Sequence, residues 1–168
     1  MPKYTPAPEI EKICQKLVRK FPNKLGNVFT DRIHFWWDES PREKKKYAYV
    51  RKIDPLSKHL DPDHDFHFVV SRVMIKDFTK AQLHVLCEHE ALHIGPIEED
   101  ADGNDKVSLI DHDSKEFISI IAAYGYDWTM NKDCVDPLEG DTTVEIRKPE
   151  KLLKKIKDKD FKIAAKEK

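Results

Sequence analysis

Thr79-Lys80-Ala81-Gln82-Leu83-His84-Val85-Leu86-Cys87-Glu88-His89-Glu90-Ala91-Leu92-His93-Ile94-Gly95-Pro96 is the stretch on which the reading of this chain turns. Leu83, Leu86, Cys87, Glu90, Ala91 and Ile94 recur at the spacing of one helical face. Thr79 and Gln82 have the spacing of a capping box, in which a hydroxyl and an amide each satisfy a backbone N–H of the first turn. Gly95-Pro96 reads as the stop, so a helix with a largely apolar face is expected over 80–94. Within it, His89 and His93 form an HExxH pattern: two imidazoles four residues apart point the same way, with Cβ atoms about 5–6 Å apart, and can ligate one ion. Glu90 lies about 100° around the helix from His89, beside such an ion, where a carboxylate can act as general base. The composition of the chain predicts roughly 0.03 such patterns by chance.

Upstream, Glu9 to Val18 places apolar residues at 10, 13, 14, 17 and 18, an amphipathic helix ending near Phe21-Pro22. Three runs rich in aromatic and β-branched residues follow, 32–37, 47–53 and 65–71, separated by prolines, and read as a small sheet. Phe35-Trp36-Trp37 reads mainly as strand core, and Cys87 as a core residue off the histidine face. Downstream, the acidic turn 98–105 leads to a strand at 107–110, and Asp113-Ser114-Lys115-Glu116 repeats the cap pattern before a helix of Phe117, Ile118, Ile120, Ile121 and Tyr124 that ends at Gly125. His112, between that strand and the Asp113 cap, is the best candidate for a third ligand. Glu116 is the weaker alternative because a capping role already accounts for it, and Asp111 or Asp113 could accept the free ring N–H of His112. The whole reads as α+β, with a short mixed sheet and helices that carry the chemistry.

A chain of 168 residues is the size of one ordinary domain, long enough for a core although 36% of it is charged. No apolar run approaches the ~20 residues of a membrane helix, and no h-region follows the opening Met1-Pro2-Lys3-Tyr4-Thr5-Pro6, so neither a membrane span nor a signal peptide is expected. Cys14, Cys87 and Cys134 are too few and too scattered for a disulfide framework or a zinc ribbon, which suggests a reducing cytoplasm. The net charge of -1 conceals a division: residues 143–168 carry +5 and the remainder -6. The Lys-rich C-terminal segment reads first as a solvated amphipathic helix after a short strand at 141–148, with contact to nucleic acid as the alternative. His59, His64 and His67 lie in and around the Asp-rich Asp61-Pro62-Asp63-His64-Asp65, which could bind a metal but reads rather as a polar loop before a strand.

Taken together, His89-Glu90-Ala91-Leu92-His93 and, after a gap of hairpin length, His112-Asp113-Ser114-Lys115-Glu116-Phe117 resemble the phage metallopeptidases, which are similar to the SprT and Spartan zinc proteases. The resemblance implies a small zincin-like domain over 30–128, preceded by a packed N-terminal helix over 1–29 and followed by a basic extension over 129–168. It implies Zn2+ held by His89, His93 and His112, with Glu90 as the base, and hydrolysis of a protein or peptide in the cytoplasm of a bacterium or of a phage's host. His84, Tyr124 and Tyr126 are candidates for stabilising the oxyanion by their place in the sequence alone. The Cys-rich ribbon that often follows in SprT relatives is not in this sequence. The competing reading is a non-enzymatic module that uses the metal, or only the fold, to bind protein or DNA.

Overall fold

Side chains along a strand alternate between its two faces, and here the alternation separates core from solvent. The computed structural model describes residues 3–40, 46–112 and 116–140. Four strands, β1 (Tyr4–Pro6), β2 (Ile33–Asp38), β3 (Ala48–Lys52) and β4 (Phe66–Ser71), form one mixed sheet in the order β1-β2-β4-β3. β2 and β4 run parallel, with His34 beside His67 and Phe35 beside Phe68; β1 and β3 pair antiparallel on either side. Ile33, Phe35 and Trp37 of β2 and Phe66, Phe68 and Val70 of β4 face the core, while His34, Trp36 and His67 take the other face. The three strands expected upstream are all present; β1 was not expected.

Helix α1 (Pro8–Lys20) opens on a proline, carries Glu9 and Glu11 in its first turn and Arg19 and Lys20 in its last, as the helix dipole favours. It buries Ile10, Cys14 and Leu17 against β2 and α4 (Lys80–Leu92). Two short helices, α2 (Pro22–Leu25) and α3 (Pro55–Leu60), and a 3-10 turn at Thr30–Arg32 fill the connections. β5 (Ile94–Glu99) and β6 (Asp105–Leu109) form a separate hairpin, closed by Gly103 at φ 80° and by the Asp100 carboxylate, which accepts from the amides of Asp102 and Asn104. α5 (Ile118–Tyr124) follows and packs on α4. One core cluster joins residues from Ala7 to Cys134, with Cys87 at its centre. No described helix is long and apolar enough to cross a membrane.

Three expectations change. The helix ends at Leu92, and Gly95-Pro96 lies inside β5. Register shifts between Ile94 and Ile97, so Pro96 sits in a bulge where its missing N–H costs no ladder bond, and a Cβ on Gly95 would meet Ser108 Oγ at 2.2 Å. Second, α4 is buried nearly all round rather than on one face: Gln82, His84, Glu88, His89 and Glu90 are as enclosed as its apolar residues. Third, α5 begins at Ile118 with Phe117 at its N-cap position. The proposed Asp113 cap lies outside the described residues, as do the strand at 141–148, the helix from Pro149 and the Lys-rich segment with its nucleic-acid contact.

Candidate metal centre

A polar group enclosed in a helix must find a partner or lose its hydration without return, and each polar side chain of α4 has one. Thr79 and Gln82 complete the reciprocal capping box, and Gln82 Nε2 also donates to the carbonyls of Trp128 (3.1 Å) and Thr129 (2.9 Å). His84 Nδ1 lies 2.7 Å from Asp136 Oδ1. Glu88 is paired with Lys24 and accepts from Tyr124 Oη at 2.5 Å. Burial first, then the Glu88 charge, drives the Tyr124 phenol pKa far upward. His84 and Tyr124, two of the oxyanion candidates, are therefore committed elsewhere, and Tyr126 is 56% exposed.

His89 and His93 remain on the face of α4 that meets the β5–β6 hairpin. His93 sits at the helix C-cap, and the return of β6 is locked to it by the Ile110 N–H donating to the His93 carbonyl at 2.7 Å. That return carries His112 two residues on. His112 Nε2 lies 3.1 Å from His89 Nε2, and the ligand atoms of His89, His93 and His112 all fall within 4.8 Å of one another. The ring of Phe117 stands edge-on to all three imidazoles at 4.9–5.5 Å between centroids and floors the cluster.

The outward nitrogens are oriented from behind. His93 Nδ1 is 2.7 Å from the Ile110 carbonyl, which can only accept, so the proton belongs on Nδ1 and the lone pair on Nε2. His89 Nδ1 is 2.5 Å from Glu116 Oε1, an ion-pair contact rather than a well-aligned hydrogen bond, and selects the same tautomer. Glu116 is itself held by the Trp128 indole N–H (3.2 Å) and the Phe117 amide (2.9 Å). Burial lowers the His89 pKa, but Glu116 and Glu90 outweigh it and the net shift is upward. His93 shifts downward, by burial and then the neighbouring imidazoles, despite the Ile110 carbonyl. Burial raises the Glu116 pKa, and the contact with His89 more than reverses it. Three imidazoles converging on one point, with His93 Nδ1 on a carbonyl and His89 Nδ1 against a carboxylate, suit a divalent transition metal.

Glu90 is 5% exposed, with its Oε1 4.0 Å from His89 Nε2. Burial pushes its carboxyl up to about 7; Glu116 adds to the rise, while His89, Lys46 and a backbone hydrogen bond from Val50 restrain it. Such a group exchanges a proton near neutral pH.

Thus the structure brings His89, His93 and His112 together with Glu90 beside them. Sequence reasoning missed Glu116 and Phe117 in these roles: Glu116 was assigned to a cap, whereas its carboxylate spans from His89 to Trp128. The available signal was the pair Glu116 and Trp128, which lie on either side of α5, the indole N–H donating to the Glu116 carboxylate that faces His89. A family model described as "putative phage metallopeptidase" matches residues 2–138. No curated protein and no solved structure matches the chain.

Proposed function

Since the chain belongs to that phage metallopeptidase family, a family of metal-dependent peptidases acting on proteins or peptides, we propose that it is a zinc peptidase of the HExxH type with a zincin-like fold, in which His89, His93 and His112 hold the ion and Glu90 is the general base. The observation that carries this reading is the convergence of three imidazoles from α4, its C-cap and the strand return within 4.8 Å, next to a buried carboxyl poised near pH 7.

When bound, zinc would supply Lewis acidity, polarising the scissile carbonyl and lowering the pKa of water to about 7. The chain's own residues do the rest. Glu116 and the Ile110 carbonyl keep the Nδ1 protons of His89 and His93 in place, so that neutral Nε2 atoms face the substrate side. Glu90 Oε1 takes the proton of the attacking water, holds it as a buried carboxylic acid at modest cost because burial already favours the neutral form, and returns it to the leaving amine. Phe117 excludes water from behind the cluster, which strengthens each of these interactions.

Glu90→Gln tests this directly. It should retain the zinc of the wild type and lower the rate of casein or peptide hydrolysis by about 10²–10⁴-fold, the usual share of a general base. Zinc retained in both proteins with no difference in hydrolysis would overturn the reading in favour of a binding module.

A further inference from the structure

On the face of the sheet turned away from α4, two more imidazoles meet a carboxylate. His34 projects from β2, and Asp61 and His64 lie in the loop between α3 and β4. His34 Nε2 is 2.5 Å from Asp61 Oδ2, and His64 Nδ1 is 2.8 Å from Asp61 Oδ1. The two rings stack at 3.7 Å between centroids and 18° between planes. The ligand atoms of the three residues lie within 4.8 Å of one another. We propose that His34, Asp61 and His64 form a second site for a divalent transition metal, structural in role and separate from the His89/His93/His112 cluster.

The chain builds this site rather than leaving a polar loop to find its own shape. The parallel register places Ile33 beside Phe66, which brings the residues just before β4 alongside the start of β2. Asp65 ties that junction: its amide donates to the Arg32 carbonyl at 2.8 Å and its carboxylate pairs with Arg32. Lys58 crosses beneath the loop, with Nζ donating to the carbonyls of Pro62 (2.5 Å) and His64 (3.0 Å) and to Asp65 Oδ1 (2.7 Å). The Asp61 amide donates to the Ser57 carbonyl at 2.9 Å and closes α3. Backbone and lysine thus hold the three ligands, and no other cation is engaged with the Asp61 carboxylate among the described ion pairs.

The chemistry favours a metal over a simple hydrogen-bonded trio. Two imidazoles and a carboxylate are borderline donors of the kind that bind zinc, nickel, copper or iron. An ion here would stand where the two ring nitrogens and the Asp61 oxygens already meet, with the carboxylate offsetting part of its charge. Each Asp61 oxygen already lies against a ring nitrogen, Oδ2 against His34 Nε2 and Oδ1 against His64 Nδ1, so its carboxylate stands where a ligand must. The side chains of His34, Asp61 and His64 are 28%, 39% and 28% exposed, open enough for an ion to enter. Glu11 and Asp31 line the groove that His34 and His64 also line, adding negative charge on that side. Opposing groups on that face are His67, whose Nδ1 accepts from the Trp36 indole at 3.1 Å, and Arg51 beyond it on β3. A metal here would clip the α3–β4 loop to β2, two segments joined at this end mainly through Asp65.

The test is independent of the peptidase reading, since it counts ions and not turnover. The full chain is dialysed against zinc chloride and its zinc measured by elemental analysis. Two ions per wild-type chain are expected, and one in Asp61→Asn, whose amide keeps the shape and an acceptor while losing the anionic donor. Because losing even an outer-shell partner costs about 10–100-fold in metal affinity, the second ion should weaken by more than about 100-fold. A His89→Ala/His93→Ala variant should keep one ion, lost again when Asp61→Asn is added. As a check that needs no variant, zinc added to the wild type should shift the ring 15N resonances of His34 and His64. No ion in the His89→Ala/His93→Ala variant, an ion there that is indifferent to Asp61→Asn, or ring shifts confined to His89, His93 and His112 would each overturn the proposal.

Discussion

His89, His93 and His112 come from one helix and the strand return locked onto its end, whereas His34, Asp61 and His64 come from a central strand and a loop some thirty residues further on. In the first cluster a carboxylate stands behind His89, a carbonyl behind His93 and a phenyl ring against all three imidazoles, with Glu90 4.0 Å from His89 Nε2. In the second, the carboxylate lies among the imidazoles, one oxygen against a ring nitrogen of each. The first cluster thus keeps its carboxylates, Glu116 and Glu90, behind and beside the imidazoles, and the second places Asp61 between its two. On the proposed readings the first holds the reacting ion and the second ties β2 to the α3–β4 loop.

Metal removal gives the largest contrast. A strong chelator should reduce peptide hydrolysis roughly 10³-fold or more, since the ion supplies several kcal/mol of transition-state stabilisation on the proposed mechanism. A weaker chelator, titrated while both zinc content and hydrolysis are followed, should strip the half-exposed His34/Asp61/His64 ion first and leave hydrolysis intact. Loss of both ions in one step, together with activity, would erase the distinction.

The next effect tests the support behind the first cluster. Glu116→Gln removes the charge facing His89 Nδ1 while keeping an acceptor. Zinc affinity at the His89/His93/His112 site, read by competition with a fluorescent chelator, should fall about 10–100-fold, with the second ion unaffected. No change would reduce Glu116 to a packing residue.

The two clusters also differ in how far the sequence reveals them. His89 and His93 are four residues apart on a helix whose cap is written at Thr79 and Gln82, so local periodicity is enough. His112 could be placed because a hairpin returns to its starting point. His34 and His64 become neighbours only through the parallel pairing of β2 with β4, a non-local choice that no window of residues displays. The Asp-rich loop accordingly looked like polar turn. Glu116 was misread for a related reason: a carboxylate three residues after Asp113 fits a capping box as well as it fits a long reach to α4. Gly95-Pro96 reads as the helix stop, yet the helix ends at Leu92 and the pair sits in a bulge of β5, which tolerates proline as readily as a helix end does. β1, three residues with a terminal proline, carries too little pattern to be found.

Stability should separate the buried helix from its surface neighbour. Tyr124→Phe leaves the fully buried Glu88 without the phenol that donates to Oε2 at 2.5 Å. Equilibrium unfolding in urea should show a loss of about 1–3 kcal/mol, the cost of an under-satisfied buried acceptor, with an unchanged slope. A loss below a few tenths would mean that Lys24 alone suffices for Glu88.

The smallest effects come from the two helix caps, one beneath each cluster. Thr79 Oγ1 accepts from the Gln82 amide and the Thr79 N–H donates to Gln82 Oε1, at the start of a helix that crosses the core. Asp54 accepts from the Ser57 amide (3.0 Å) and hydroxyl (2.6 Å), at the start of a six-residue helix with no buried residue. Either change to Ala removes a cap worth ~1 kcal/mol, but α4 cannot fray without opening the core, whereas α3 can open alone. Thr79→Ala should therefore lower the global unfolding free energy by about that amount and slow-exchanging amides across the sheet should speed up together. Asp54→Ala should leave global unfolding nearly unchanged and raise exchange roughly fivefold only at the Lys58 and Asp61 amides, which close α3 onto the Asp54 and Ser57 carbonyls. Added zinc should reverse that local increase, because an ion bound by Asp61 holds the end of α3 in place; if it does not, the loop owes its shape to Lys58 and Asp65 alone.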